Sequence, residues 1–172
     1  AEVSAAADHK TRIEESMAVI ARAFPRSARE PAVPPGATLE TLRVPQLLAS
    51  AAGRDYASAV AARRILSELD VQTGFYLPAA AMLEGDDVRA AFYLDLAKSI
   101  NPDEPFAWYL RASLSARAGR TAEAMDHLSR AVTLGFRTLD KLETDRAFDR
   151  LRGRPDFEAL VARVRAVWDA SR

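Results

Sequence analysis

The sequence predicts an all-α fold built from helix hairpins laid side by side. Three observations carry that expectation. Apolar residues recur at helical spacing along most of the chain, and no stretch alternates with the period of two that a half-buried strand requires. Gly53, Gly85 and Gly119 each close one helical run and precede the next, where glycine tolerates the left-handed conformation that ends a helix. Gly85 and Gly119 also stand 34 residues apart, with like residues at like offsets: Ala90 with Ala124, Leu94 with Leu128, Ala97 with Ala131, Ile100 with Leu134.

The first element is an amphipathic helix over 5–24. Ile13, Met17, Ile20 and Phe24 make a single stripe, and Pro25 stops it. The stretch 25–36 carries four prolines and a glycine, so 25–38 is expected to be an extended linker or strap. Helices follow over 44–52, 55–70, 76–84, 86–100, 105–118 and 121–134. Asp86 and Thr121 are the expected N-caps of two of them. Asn101-Pro102-Asp103-Glu104-Pro105 breaks the chain and starts the next helix with acidic residues that suit its dipole. An earlier copy of the repeat shows in 42–53, which parallels 75–85 and shares an early proline (Pro45, Pro78).

Ala124 and Ala131 lie seven residues apart on one helical face. Small side chains there let the helix over 121–134 approach that over 105–118 to about 8–10 Å between axes. Leu128 and Leu134 then fill the space between them. After Phe136 come short runs and a last helix from Asp156 to Ala170, with a stripe of Phe157, Leu160, Val164, Val167 and Trp168.

These residues resemble the tetratricopeptide repeat family. The match is best at Trp108, Gly119, Glu123, Ala124, Leu128, Ala131 and Leu134. It continues in a second copy through Leu77, Gly85, Ala90, Leu94, Ala97, Ile100 and Pro102. Arg111, Ser115 and Pro78 depart from the family pattern. The spacing from Leu142 to Leu160 is similar to the tail that follows the last repeat in bacterial members. The resemblance implies a right-handed solenoid of about three hairpins over 39–136, flanked by the N-terminal helix (1–24) and by C-terminal capping helices (137–172).

It also implies a function: a non-catalytic protein–protein interaction scaffold that holds a peptide or helix in its concave groove. By the family pattern that groove is lined by Phe75, Ala79, Met82, Leu83, Phe106, Tyr109, Ser113 and Arg117, with Trp108 in the core. Families that grip a peptide's C-terminal carboxylate line this wall with several cationic and amide side chains. Here Arg117 and Gln46 alone qualify, so an apolar segment is the expected occupant. The N-terminal helix of the same chain, with its stripe turned inward, is the alternative occupant. A terminal regulatory or accessory domain of a larger enzyme, hydrolytic or otherwise, is the alternative function.

Composition narrows the rest. Acidic and basic residues number 24 each, which argues against a dedicated nucleic-acid binder. Cysteine is absent, so disulfides and thiolate metal sites are impossible. No run approaches the roughly 20 apolar residues of a membrane helix. The 21 arginines against 3 lysines fit a GC-rich bacterial origin. The start at Ala1 fits a mature chain freed of a leader, exported to the periplasm or beyond, and equally a trimmed cytoplasmic one.

No catalytic residue, cofactor or metal is expected. His9 and His127 stand at no ligand spacing, and Ser113 and Ser115 lie inside helices instead of at a nucleophile turn. The pairs Asp86-Asp87 and Asp103-Glu104 read as helix caps. Arg146, Arg150, Arg152 and Arg154, interleaved with Asp145, Asp149 and Asp156, read as a salt-bridged surface.

Overall fold

A computed structural model describes residues 2–24 and 33–170 of the chain, with side chains from residue 8 onward. All regular structure among these residues is helical, and none of the helices is long and apolar enough to cross a membrane. The chain divides into two compact units, Ala1–Pro102 and Asp103–Arg172. The third predicted hairpin therefore shares a unit with the C-terminal segment.

In the first unit, α1 (Glu2–Ala23) is followed by α2 (Pro35–Thr41), α3 (Val44–Ala51) and α4 (Tyr56–Val71). The expected strap over 25–38 is partly corrected. Residues 25–32 lie outside the described residues, but the chain is helical from Pro35 and buries Thr38. Proline at the first helical position loses no intrahelical hydrogen bond, so Pro35 starts a helix instead of extending a linker. The stripe of α1 buries Ile20 and packs on α4 and α2, and Phe24 sets its ring 5.5 Å from that of Phe92.

α3 and α4 form the first hairpin. Asp55 caps α4 by accepting from the Ser58 amide at 2.9 Å. The Arg63 guanidinium donates to the Ala51 carbonyl from two nitrogens, at 2.7 and 3.1 Å, and so satisfies the end of α3. The break expected between 70 and 76 does not occur. A five-residue π-helical turn, Gln72–Tyr76, carries α4 directly into α5 (Leu77–Leu83). Buried Thr73 donates to the Leu69 carbonyl at 2.7 Å within it. α5 and α6 (Asp87–Ile100) make the second hairpin. Asp86 caps α6 as expected, and the Asn101 amide donates to Asp70 at 2.8 Å, tying the end of α6 to α4.

The second unit holds α7 (Pro105–Arg117), α8 (Thr121–Thr133), α9 (Leu139–Thr144), a 3-10 turn at Arg146–Phe148 and α10 (Pro155–Ala170). α7 and α8 share the most extensive helix–helix contact, with Ala112, Ala116, Ala124 and Ala131 all buried. Glu104 caps α7 through the Phe106 amide, but Thr121 is not a cap, because Arg120 holds that position without a side-chain bond. On α10 the predicted stripe is buried only as far as Val164; Val167 and Trp168 face outward.

The turns after α5 and α7 are built alike. The Asp86 and Gly85 amides return to the Ala81 and Met82 carbonyls at 2.8 and 3.2 Å. The Arg120 and Gly119 amides return to Ser115 and Ala116 at 2.9 and 3.0 Å. Gly85 has φ 78° and Gly119 φ 77°. This double bond with a left-handed glycine is the Schellman ending.

Candidate functional site

The eight residues expected along a groove fall four to each unit. In the first unit, Phe75 belongs to the π turn, and Ala79, Met82 and Leu83 follow on α5. Positions 75, 79, 82 and 83 share one helical face. Phe75 is 41% and Leu83 90% exposed, while Ala79 and Met82 are half-buried. The π turn adds Tyr76, 56% exposed, which packs edge-on against Phe75 at 4.9 Å. Sequence periodicity missed Tyr76 because it assumes 3.6 residues per turn, and a π turn inserts one more. Val88, across the Gly85 turn, is exposed as well. The surface is thus an apolar, partly aromatic strip at the end of the second hairpin. α1 packs on α4 and α2, and Tyr76, Leu83 and Val88 remain exposed.

In the second unit two of the four expected residues are corrected. Tyr109 is 4% exposed and Ser113 is buried, so neither lines an open groove. The 3-10 turn lies on this face of α7. The Tyr109 hydroxyl donates to the Asp145 carboxylate at 2.6 Å, and Ser113 Oγ reaches the same oxygen at 3.4 Å. The other Asp145 oxygen accepts from the Ala147 amide at 2.9 Å and starts the 3-10 turn. The Tyr109 ring stacks on Phe136 at 4.7 Å and meets Phe148 edge-on at 5.8 Å. Burial, then the hydrogen bond to Asp145, push the Tyr109 phenol well above its ordinary value. Phe106 is half-buried, 5.3 Å from the Tyr109 ring and beneath Lys141. Arg117 is exposed at the end of α7.

A second polar group surrounds His127. Buried Ser115 places Oγ 3.3 Å from His127 Nδ1, and Trp108 sets its ring 5.5 Å from the imidazole. Trp108 is half-buried and not fully in the core. Burial holds the imidazole below its ordinary value, with Glu123 opposing. Glu123, exposed on α8, has its carboxyl lowered first by its bond from Arg120. The Ser115–His127 pair reads as a part-buried polar tie between α7 and α8.

The Asp86 and Glu104 carboxylates cap helices, and Arg152 and Arg154 pair with Asp149 and Asp156 on the surface. Among the described residues no three His, Asp or Glu side chains gather where a metal ion could be held. No protein-family model, curated protein or solved structure matches the chain.

Proposed function

We propose that the chain is a non-catalytic interaction module of tetratricopeptide type. It binds a protein segment through the apolar strip of the π turn and α5, with Phe75, Tyr76 and Leu83 as its contacts. The observation that carries this reading is the exposure of those three large apolar side chains on one short stretch, with Leu83 at 90%. Kinship to the repeat family is supported by the 34-residue spacing of Gly85 and Gly119, by their matching Schellman endings, and by buried alanines at 90, 97, 124 and 131.

A photo-crosslinking residue in place of Leu83, in living cells that produce the protein, tests the reading. The control is the same residue in place of exposed Ala166 on α10. Discrete protein adducts from position 83 and none from 166 are expected. Equal labelling from both positions, or none from either, overturns it.

A further inference from the structure

The first unit also contains a cationic cleft. Arg12 of α1 and Arg43, between α2 and α3, both line two adjoining clefts of about 380 and 400 Å³. Asp8 and Glu15 line the smaller one. The larger opens between α1, α3 and α4, and its charged lining residues are the two arginines alone. Arginines such as Arg120, Arg130 and Arg154 pair with Glu123, Asp103 and Asp156. Arg12 and Arg43 have no such carboxylate among the described residues. Two like charges lining one cleft without a counter-charge favour an anion there.

The backbone supplies a second observation. Arg43 is left-handed, with φ 58° and ψ 33°, and is the non-glycine residue with positive φ among those described. Glycine or asparagine would hold that turn more easily. An unfavourable conformation kept by a cationic side chain at the meeting of two clefts points to a role for the charge. The floor of the larger cleft is apolar, with buried Leu47, Ala62 and Ile65, and Gln46 and Ser50 add neutral hydrogen-bonding groups. Its volume is that of a small-ligand site.

We propose that this cleft binds a small amphiphilic anion. Arg12 and Arg43 hold its oxyanion head, and a short alkyl or aryl body lies on Leu47, Ala62 and Ile65. The site is separate from the strip at Leu83, and neither reading depends on the other.

The test titrates the full chain with hexanoate, hexyl phosphate, hexanol and inorganic phosphate, followed by backbone amide NMR. Saturable shifts centred on residues 43–50 and 58–65 are expected from hexanoate or hexyl phosphate. Which of the two binds tighter identifies the head group as carboxylate or phosphate. Hexanol and inorganic phosphate, each with half of the required chemistry, should bind at least about tenfold more weakly. Arg12→Gln and Arg43→Asn should each weaken the anion about tenfold with an unchanged melting temperature, since asparagine tolerates the left-handed turn. Absence of saturable shifts, hexanol binding as tightly as hexanoate, or full affinity in both variants would overturn the proposal. Should Arg12→Gln lower the melting temperature, Arg43→Asn alone decides.

Discussion

Tyr109 shows how far one residue's role depends on what folds over it. Its hydroxyl and ring are both engaged inside the second unit, by Asp145, Phe136 and Phe148. Tyr109→Ala should destabilise by about 3–5 kcal/mol through lost packing, and Tyr109→Phe by about 2 kcal/mol through the lost bond to a carboxylate. Urea denaturation checks both values, and a Tyr109→Ala curve matching wild type would return the residue to the surface. The raised phenol also has a pH signature. Above pH 10, the ordinary tyrosine value, the unfolded chain releases the proton and the folded one keeps it. Stability is therefore full below pH 10 and falls as pH rises beyond it, more steeply in wild type than in Tyr109→Phe. His127 has the opposite sign. Burial lowers its value from 6.5, so the unfolded chain binds the proton first and stability is lost as pH falls below 6.5. Melts at pH 7 and pH 5 should differ more for wild type than for His127→Gln.

At the level of helices, local chemistry was legible and registry was not. The runs bounded by Gly85 and Gly119 lie within about two residues of α6, α7 and α8, because Schellman endings and acidic caps are written in neighbouring residues; α3 also ends close to its expected place, but Gly53 beyond it is not left-handed. The junction of α4 and α5 was legible in position but not in kind: the runs 55–70 and 76–84 end and start within a residue of α4 and α5, yet the residues between them form a continuous π turn. Pro78 ends the π register, because the next bond after that from the Leu77 amide to the Gln72 carbonyl would need the N–H that proline lacks. The same π turn hid Tyr76, one of the three exposed contacts of the apolar strip. Tyr109 and Ser113 were misplaced because their cover, the 3-10 turn at Arg146–Phe148, comes from more than 30 residues away, beyond the reach of periodicity. The small-residue seam between α7 and α8, by contrast, was readable from alanine spacing alone. Ala124 has no exposed surface, and Ala124→Leu should destabilise by about 1–3 kcal/mol through overpacking, measured by thermal melt.

On the scale of the molecule, the division at Pro102/Asp103 groups the third hairpin with the C-terminal segment and bears on the expectation of a stacked-repeat array. In such an array each hairpin draws its stability from its neighbours, so the third hairpin should fail alone. The second unit instead joins that hairpin to a C-terminal segment with its own aromatic contacts. Phe136 stacks on Tyr109, and Phe148 links Tyr109 to Phe157, with rings 5.8 and 6.1 Å away. α10 packs on both α8 and α9, closing the core with Leu160 and Val164. All of these partners lie between Asp103 and Arg172. A separate polypeptide of residues 103–172 should therefore be helical by circular dichroism and unfold in urea in one sigmoidal step. Its size limits that stability to about 3 kcal/mol. Phe148→Ala in the same fragment should abolish the transition, since truncating a fully buried aromatic costs about as much as the whole. A helical fragment with a broad, featureless urea curve would mean that the third hairpin borrows its core from residues 1–102, as a member of a stacked array does.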